Sequence, residues 1–448
     1  MAMALSLAAR GQGTELTGGE HLDPGTGYAG PAVFRTEFVS YDVREYAEKD
    51  DLARNQYYKA LEFSTVSAAG GGNAYRTEID LPVSWLEREV FIQVQGLQGL
   101  YLYVNGRRAG YAEDASVPVQ FDLSAYLTTG RNSIEVTPAA GTGAKLEENL
   151  DPGRFVFGAF LFSQPKLRIH DYVMRFEPDP ESGRFGFLDI LFTLANDYNY
   201  EETITVGYDI YSPQGKLLYY DFRQITLAGG TRDTLRFREP IWRANDNVWS
   251  VGNPVLHYGQ LTVKRDTRMI EYIPYRIGYD MATLSEGKIL RQGEAMGMAP
   301  VRYNAAATKN VTSGEVAALK KQGYNTLCPD YPQPMWFYGL CDELGLYVVE
   351  QANVNTSAGA GDRRIGGTPA NDPAWLGSFE ARMRAMYERT KNHTCILMHS
   401  LGNDAGNGYN MYHSYLMLKR LDPQATVIYN GAAGEWNSDM APLGIAGR

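Results

Sequence analysis

The hydrophobic period of the chain changes near residue 285, and this change limits the folds that the sequence can adopt. Before it, apolar and polar residues alternate between turn signals, as in "AYRTEIDLPVSWL" and "RFGFLDILFTLANDY". Alternation of this kind is typical of strands with one buried face. After it, helical spacing leads into short apolar runs, as in "TSGEVAALKKQG" before "YNTLCPD". The sequence therefore predicts all-β domains followed by β/α units.

The all-β part is long enough for two sandwiches that follow a Gly-rich tail over residues 1–31. Residues 32–170 form the first candidate, in which the pair Asn105 and Gly106 between two apolar runs predicts a type I′ hairpin. Residues 171–280 continue the alternation at about the size of an immunoglobulin-like sandwich. We therefore expect two separate β domains.

Residues 281–448 are predicted to form a parallel β/α sheet or barrel. We expect five strands, at "GMAPVRY", "YNTLCP", "LYVVEQ", "CILMHSL" and "ATVIYN". In such folds the chemistry lies just beyond the carboxyl ends of the strands. The segments "CPD", "NVN" and "GND" fall at these ends.

Composition excludes several kinds of partner. The formal net charge of -10 is dispersed without a basic stripe, which argues against nucleic-acid binding. No apolar run reaches the roughly 18 residues of a membrane span. Three cysteines, Cys328, Cys341 and Cys395, are odd in number and lack metal-ligand spacing, so we expect no disulfide framework.

The N-terminus "MAMALSLAARGQG" is similar to the end of a secretory signal, although it lacks a basic start. We expect an exported protein, periplasmic or associated with the cell surface. A disordered tail is the alternative.

Several long stretches resemble glycoside hydrolase family 2, the β-galactosidase family. "YRTEIDLPVSWLEREVFIQVQGLQGLYLYVNGRRAGYAEDASVPVQFDLSAYLTTGRNSIEV" resembles its sugar-binding jelly roll, and "VWSVGNPVLHYGQLTV" resembles the end of its immunoglobulin-like domain. "FYGLCDELGLYVVEQANV" and "KNHTCILMHSLGNDAGNG" resemble its barrel. The resemblance implies a jelly-roll β-sandwich, an immunoglobulin-like β-sandwich and an incomplete (β/α)8 TIM-type barrel, in this order.

The resemblance places Asp404 where the family has a Glu that serves as general acid and base. The shorter side chain withdraws the carboxyl by roughly 1.5 Å, the length of one carbon-carbon bond. Retaining glycosidases hold two carboxyls about 5 Å apart, and a misplacement of about 1 Å can cost on the order of a hundredfold in rate. Asp404 is therefore a weakened acid, a residual sugar hydrogen-bonder or a structural turn residue.

Other positions implied by the family are also altered. Asn355 and Ser357 in "QANVNTSA" replace a Glu and a His that ligate magnesium in many members, and neutral side chains are poor substitutes. We expect no metal there and no cofactor. "MGMAPVRYNA" and "LCPDYPQ" lack the family's substrate-orienting His and Arg. The family nucleophile is a Glu on a later strand, so with the sequence stopping at Arg448 we expect it to be absent, and Glu435 matches a family loop instead.

The family resemblance also implies residues that contact the sugar. Asp151 and Arg154 in "ENLDPGRFVFG" resemble the family loop that reaches the sugar site, with Gly153 in place of the usual Trp; a buried ion pair is the alternative. Asn403 directly precedes the acid position.

Two aromatic residues and two histidines lie near these motifs. Tyr331 and Trp336 could stack on a sugar ring or belong to the core. For His393 we expect a structural hydrogen bond, and for His399 a core histidine with satisfied nitrogens.

Two functions remain open. The losses at four places favour a catalytically inactive carbohydrate-recognition or scaffold subunit of an exported saccharide-handling assembly, with oligosaccharide as its ligand. The alternative is an active exo-β-glycosidase with Asp404 as acid. A complete barrel takes around 250 residues, so we expect the open edge of the sheet to be covered by a protein partner. Folding back of the tail after Asn430 and a longer parent protein are the alternatives.

Overall fold

The computed structural model describes residues 22–23, 28–29, 32–67, 73–139, 143–179, 185–242, 247–358 and 368–446. The predicted secretory signal and most of the Gly-rich tail lie outside these residues. None of the described helices has the length and apolar character that a bilayer crossing requires. The chain has a multidomain fold of β and α/β type.

The first unit is a sandwich of two five-stranded antiparallel sheets, with strand orders β3-β10-β7-β12-β4 and β5-β6-β11-β8-β9. β1 (Leu22–Asp23) and β2 (Tyr28–Ala29) form a separate two-stranded sheet. The strands of the sandwich are β3 (Ala32–Val33), β4 (Tyr58–Leu61), β5 (Ser64–Ser67), β6 (Asn73–Leu81), β7 (Arg88–Gln95), β8 (Gly99–Val104), β9 (Arg107–Glu113), β10 (Val119–Asp122), β11 (Gly130–Pro138) and β12 (Gly158–Pro165), with helix α1 (Arg44–Lys49) between β3 and β4. The predicted hairpin is confirmed, since Asn105 (φ 52°) and Gly106 (φ 75°) join β8 to β9.

The second unit is an immunoglobulin-like sandwich of two sheets, in the orders β13-β14-β17 and β16-β15-β19-β20. Its strands are β13 (Leu167–Pro178), β14 (Gly186–Asn196), β15 (Glu202–Tyr211), β16 (Leu217–Leu227), β17 (Thr231–Ile241), β18 (Val248–Trp249), β19 (His257–Arg265), β20 (Arg268–Ile277) and β21 (Tyr279–Asp280). A boundary between residues 170 and 171 falls inside β13. Only Lys166 separates this strand from β12, so the alternation continues from one unit into the next.

The third unit contains a five-stranded parallel sheet in the order β25-β26-β27-β28-β29, which confirms all five strands predicted from the sequence. A three-stranded antiparallel sheet that was not predicted precedes it, with turns at Glu286–Gly287 and Gln292–Gly293 in the left-handed region. The elements are β22 (Ala282–Ser285), β23 (Lys288–Arg291), β24 (Glu294–Ala295), β25 (Pro300–Arg302), α2 (Lys309–Lys321), β26 (Thr326–Cys328), α3 (Met335–Leu344), β27 (Tyr347–Gln351), α4 (Leu376–Thr390), β28 (Ile396–Ser400), α5 (Tyr409–Leu421) and β29 (Val427–Ile428).

The segment after β29 bridges the two edges of the parallel sheet. Asp439 N–H donates to Val427 O over 2.8 Å, and Ala446 pairs in parallel with Val301 of β25. Between these points, Met440 and Ile445 are among the apolar residues that pack against the sheet interior. The tail therefore covers the edge, which was the less favoured expectation. The sequence favours a partner chain at this edge, but the segment after β29 occupies it. Its backbone bonds to both edge strands, and its apolar side chains pack on the sheet.

Candidate functional site

The site lies where β26, β27 and β28 end, since parallel strands bring their carboxyl ends to one edge. The segments after β27 and β28 are joined by backbone hydrogen bonds. Asn403 N–H donates to Val354 O over 2.9 Å, and Thr356 N–H donates to Asp404 O over 2.7 Å. The position of the candidate acid is therefore fixed by the neighbouring strand end.

Asp404 is exposed, and Asn403 beside it is half-buried. Burial and, to a smaller extent, the charge of Asp404 raise the pKa of Tyr429, which follows β29. The Asp404 carboxylate is therefore near the end of a third strand. An exposed carboxylate at this edge can exchange hydrogen bonds with the hydroxyls of a sugar.

Glycines shape the turn around Asp404. Gly402 has φ 142°, and a Cβ there would lie 2.8 Å from Val354 O. Gly408 has φ 157°, and a Cβ there would lie 1.8 Å from Asn371 Oδ1. Both positions need glycine because another atom occupies the space that a side chain would take.

A loop of the jelly roll completes this edge of the barrel. Asn355 N–H donates to Leu146 O over 2.7 Å, and Glu148 N–H donates to Asn355 O over 3.2 Å. The Glu148 carboxylate accepts from Ser357 N–H (2.7 Å) and from the Thr356 hydroxyl (3.3 Å). Our sequence reasoning missed Glu148, although it lies only three residues before Asp151 in the loop that was singled out.

The donors at this edge do not fit the magnesium site of the family. Asn355 and Ser357 offer an amide and a hydroxyl, and the nearby Glu148 carboxylate is already held by Ser357 N–H and the Thr356 hydroxyl. Among the described residues, the group of His, Cys, Asp and Glu ligand atoms close enough to hold an ion does not include Asp404. We derive no chemical step through a metal.

That group consists of Asp342, His393 and Cys395, whose ligand atoms lie within 4.8 Å of one another. His393 Nδ1 and Asp342 Oδ2 are 2.6 Å apart, which confirms the structural hydrogen bond expected for His393. The other carboxylate oxygen accepts from Cys395 N–H over 2.7 Å. Burial raises the pKa of the Cys395 thiol well above its usual value, so the group is a hydrogen-bonded cluster of the core. All three cysteines are free.

A buried ionic cluster lies behind the site, between the jelly roll and α4. Arg382 Nη1 is 2.7 Å from Glu147 Oε1 and 3.7 Å from Asp114 Oδ2, and its Nη2 is 3.5 Å from Glu113 Oε2. Three carboxylates thus surround one guanidinium, and all four side chains are buried. Burial raises the pKa of Glu147 to about 8, against the opposing charge of Arg382.

Arg154 and Tyr331 are brought together across the same domain boundary. Arg154 Nη1 donates to the Tyr331 hydroxyl over 3.0 Å, and its Nη2 donates to Ala305 O. Asp151 Oδ1 accepts from Gly153 N–H over 3.0 Å instead. Since Asp151 and Arg154 are both exposed, the alternative of a buried ion pair between them is wrong. Asp151 thus bonds within its own loop, whereas Arg154 reaches across to the barrel.

The two candidate aromatic residues lie in different places. Tyr331 is 5% exposed, and its ring meets that of Phe155 edge-on, with 5.7 Å between the centroids. The jelly-roll loop that carries Phe155 therefore covers one side of the Tyr331 ring. Trp336, on α3, is half-buried and lines a cavity whose lining includes neither Asp404 nor Asn403. The structure does not place Trp336 at the strand ends.

For His399 the expected burial is confirmed, but the expected hydrogen bonds are not found. The residue is buried in β28, with its ring centroid 5.2 Å from that of Tyr387, but neither ring nitrogen has a hydrogen-bond partner. Burial lowers its pKa to about 4, so the ring stays neutral near pH 7. An apolar run predicts burial but says nothing about partners, because these come from other elements.

Glu435 lies in the loop after β29. Its Oε2 accepts from the Tyr412 hydroxyl and, over 3.3 Å, from the Asn407 side chain. These donors hold the carboxylate at the rim, which fits its match to a family loop.

The fold and the strand-end edge define the class: a multidomain protein of glycoside-hydrolase architecture, in which a jelly-roll loop completes the edge of a barrel. Residues 37–142 match the model of the sugar binding domain of glycosyl hydrolases family 2, and residues 305–443 match the TIM barrel domain of the same family. The chain belongs to glycoside hydrolase family 2.

Relatives and solved structures agree with this assignment. The chain is 28% identical over 389 residues to a β-galactosidase of Psychromonas ingrahamii, covering 83% of this chain and 37% of that protein. It is 27% identical over 367 residues to a β-galactosidase of Priestia megaterium, with coverages of 78% and 35%. It thus spans about a third of the length of these curated relatives.

Solved structures show the same fold. A β-glucuronidase of Bacteroides uniformis superposes with a TM-score of 0.64 at 16% identity, covering 80% of this chain and 46% of that one. A β-D-glucuronidase of Dictyoglomus thermophilum superposes with a TM-score of 0.62 at 17% identity, with coverages of 85% and 74%.

Proposed function

We propose that this chain is a carbohydrate-recognition member of the β-galactosidase family with little or no hydrolytic activity of its own. The observation that carries the proposal is the way in which the turn of Asp404 is held. Asp404 occupies the position of the family acid with a side chain one methylene shorter, on a turn whose backbone is hydrogen-bonded to Thr356. Since the backbone is held, the turn is not free to advance and recover the lost reach of about 1.5 Å.

The altered neighbours support the same proposal. Asn355 and Ser357 replace two family metal ligands, and Glu148 reaches over from the jelly roll to bind Ser357 N–H. The Glu148 carboxylate is thus bonded to the same segment whose Thr356 N–H holds the Asp404 carbonyl. Preorganised electrostatics supply much of the rate of hydrolases, and several altered positions at one site argue against a tuned catalyst.

Sugar recognition needs less than catalysis does. The edge keeps exposed hydrogen-bonding groups in Asp404, Asp151 and Arg154, with the half-buried Asn403 among them. These groups suit a neutral oligosaccharide. An exported saccharide-handling assembly is the setting that we propose, on the basis of the signal-like N-terminus. A protein partner within it would contact a surface other than the sheet edge that the segment after β29 covers.

Hydrolysis and binding, measured on one preparation, test the proposal. We expect no turnover of aryl β-galactosides or aryl β-glucuronides, together with saturable binding of galactose-terminated oligosaccharides that weakens in Asp404→Ala. Asp404→Asn is the isosteric control for charge. Turnover by the native chain that Asp404→Asn abolishes would overturn the proposal and establish the active exo-β-glycosidase instead.

A further inference from the structure

A cavity of about 1080 Å³ lies where the three domains meet, and we call it the junction cavity. It is lined by the segment after β3, by β19 and β20 of the second sandwich, and by α3 and the end of α4. Pockets that bind small molecules are commonly of this size and lie at domain interfaces. Its lining does not include the strand-end residues of the candidate site.

Aromatic rings are exposed inside this cavity. Tyr258 is 40% exposed, and its ring is nearly parallel to that of Tyr211, with 5.6 Å between the centroids and 14° between the planes. Trp336 contributes a second half-buried ring from α3. Flat aromatic faces are suited to stacking on the C–H face of a sugar ring, because they supply a large contact area at low conformational cost.

Two pairs of oppositely charged side chains line the cavity. Arg44 lies 2.9 Å from Glu48, and Arg276 lies 2.5 Å from Glu343. Paired groups carry little net charge to attract an ion, but they keep donors and acceptors that can bind hydroxyls. A neutral polyhydroxyl ligand matches this lining better than an anion or a cation does.

We infer that the junction cavity is a second saccharide site, which takes a neutral oligosaccharide by stacking on Tyr258 and Trp336. It is independent of the candidate site at the strand ends, because the two share no residue. Its ligand is held by all three domains at once, so binding also ties them together.

Two glycines give a matched pair of variants. Gly339 lies on α3 and lines the cavity, whereas Gly314 lies on α2 away from it. A Cβ at either position meets no atom within 4 Å, so both tolerate a side chain. Gly339→Gln should project into the cavity, and Gly314→Gln is its control. Glutamine favours helices over glycine, so neither change is expected to unfold the protein.

The experiment is isothermal titration of the full chain with cellohexaose and with galactotetraose. We expect at least one of them to bind, with about tenfold weaker affinity in Gly339→Gln and in Tyr258→Ala, the size of one lost aromatic contact. Gly314→Gln and Tyr220→Ala should bind as the native chain does. Tyr220 is 64% exposed and lies outside the cavity.

Three outcomes would overturn the inference: no binding of either neutral probe, binding that Asp404→Ala removes while Gly339→Gln does not, or binding that neither Gly339→Gln nor Tyr258→Ala weakens. Failure of the proposed function is a separate result. It appears as hydrolysis that depends on Asp404, whatever happens in the junction cavity.

Discussion

Thr356 N–H donates to the carbonyl oxygen of Asp404 over 2.7 Å, so the turn that carries the candidate acid is tied to the segment after the preceding strand. That segment is bonded in turn to the jelly roll, through Asn355 and Leu146. The position of Asp404 therefore depends on a loop more than 200 residues away in sequence. A substitution in this loop is therefore expected to displace Asp404 through these hydrogen bonds, rather than by direct contact with its side chain.

Restoring the family acid is not expected to restore activity. Asp404→Glu returns the missing methylene, but a retaining mechanism also needs a second carboxylate as nucleophile. In the described part of the chain, Glu435 is held at the rim by Tyr412 and Asn407. We expect no measurable hydrolysis of aryl β-galactosides by the variant.

Mass spectrometry after incubation with a 2-fluoroglycoside checks this prediction. A trapped glycosyl-enzyme in Asp404→Glu would contradict it and would locate an unrecognised nucleophile. Asp404→Ala serves as the matched control, since it cannot protonate a leaving group.

Removal of the Glu148 carboxylate is expected to loosen the strand-end segment. Glu148→Ala takes the acceptor from Ser357 N–H and from the Thr356 hydroxyl. Since Glu148 is exposed, we expect the free energy of unfolding to fall by only about 1 kcal/mol, below the roughly 1.5–3 kcal/mol of hydrogen bonds to charged groups. Hydrogen exchange of the Ser357 amide should accelerate severalfold.

Glu294→Ala, in an exposed strand of the same domain, is the control and should leave the exchange of Ser357 unchanged. Equal exchange rates at Ser357 in the native chain and in Glu148→Ala would show that the loop does not hold the site.

The sequence predicted the strand ends well but not what meets them. Helix and strand periodicity placed Asp404 and Asn355 at one edge, because these signals are local. The contact of Glu148 with Ser357 spans 209 residues, and no local pattern encodes it. Whether the ring nitrogens of His399 find hydrogen-bond partners likewise depends on other elements, and here they do not. Where two domains meet, the sequence shows which side chains each domain can offer, but not which of them come into contact.

The buried cluster around Arg382 predicts a pH dependence of stability. Burial raises the pKa of Glu147 to about 8 in the folded state, from the usual 4.5 of a glutamate. Between these values the folded chain binds one more proton than the unfolded chain does, so this contribution is full below about pH 4.5 and is lost as the pH rises through 8. Glu147→Gln should remove this dependence, because glutamine does not titrate.

Urea denaturation of both proteins at pH 5 and pH 8 tests this sign. We expect the free energy of unfolding of Glu147→Gln, relative to the native chain, to be higher at pH 8 than at pH 5 by at least about 1 kcal/mol, since one pKa unit is worth about 1.4 kcal/mol. A difference that is the same at both pH values, or that falls as the pH rises, would contradict the assignment. Glu294→Gln is the exposed control.

The glycine at the start of the turn that carries Asp404 is expected to be irreplaceable. Gly402→Ala combines a positive φ with a Cβ that would lie 2.8 Å from Val354 O, a backbone atom that cannot move aside alone. Gly434 also has a positive φ, of 87°, but a Cβ there would meet nothing within 4 Å. Gly434→Ala therefore measures the backbone strain without the collision. We expect thermal denaturation to show a loss of about 1 kcal/mol for Gly434→Ala and of about 3 kcal/mol for Gly402→Ala. Equal losses would mean that the turn relaxes away from Val354, and Asp404 would then not be fixed by the neighbouring strand.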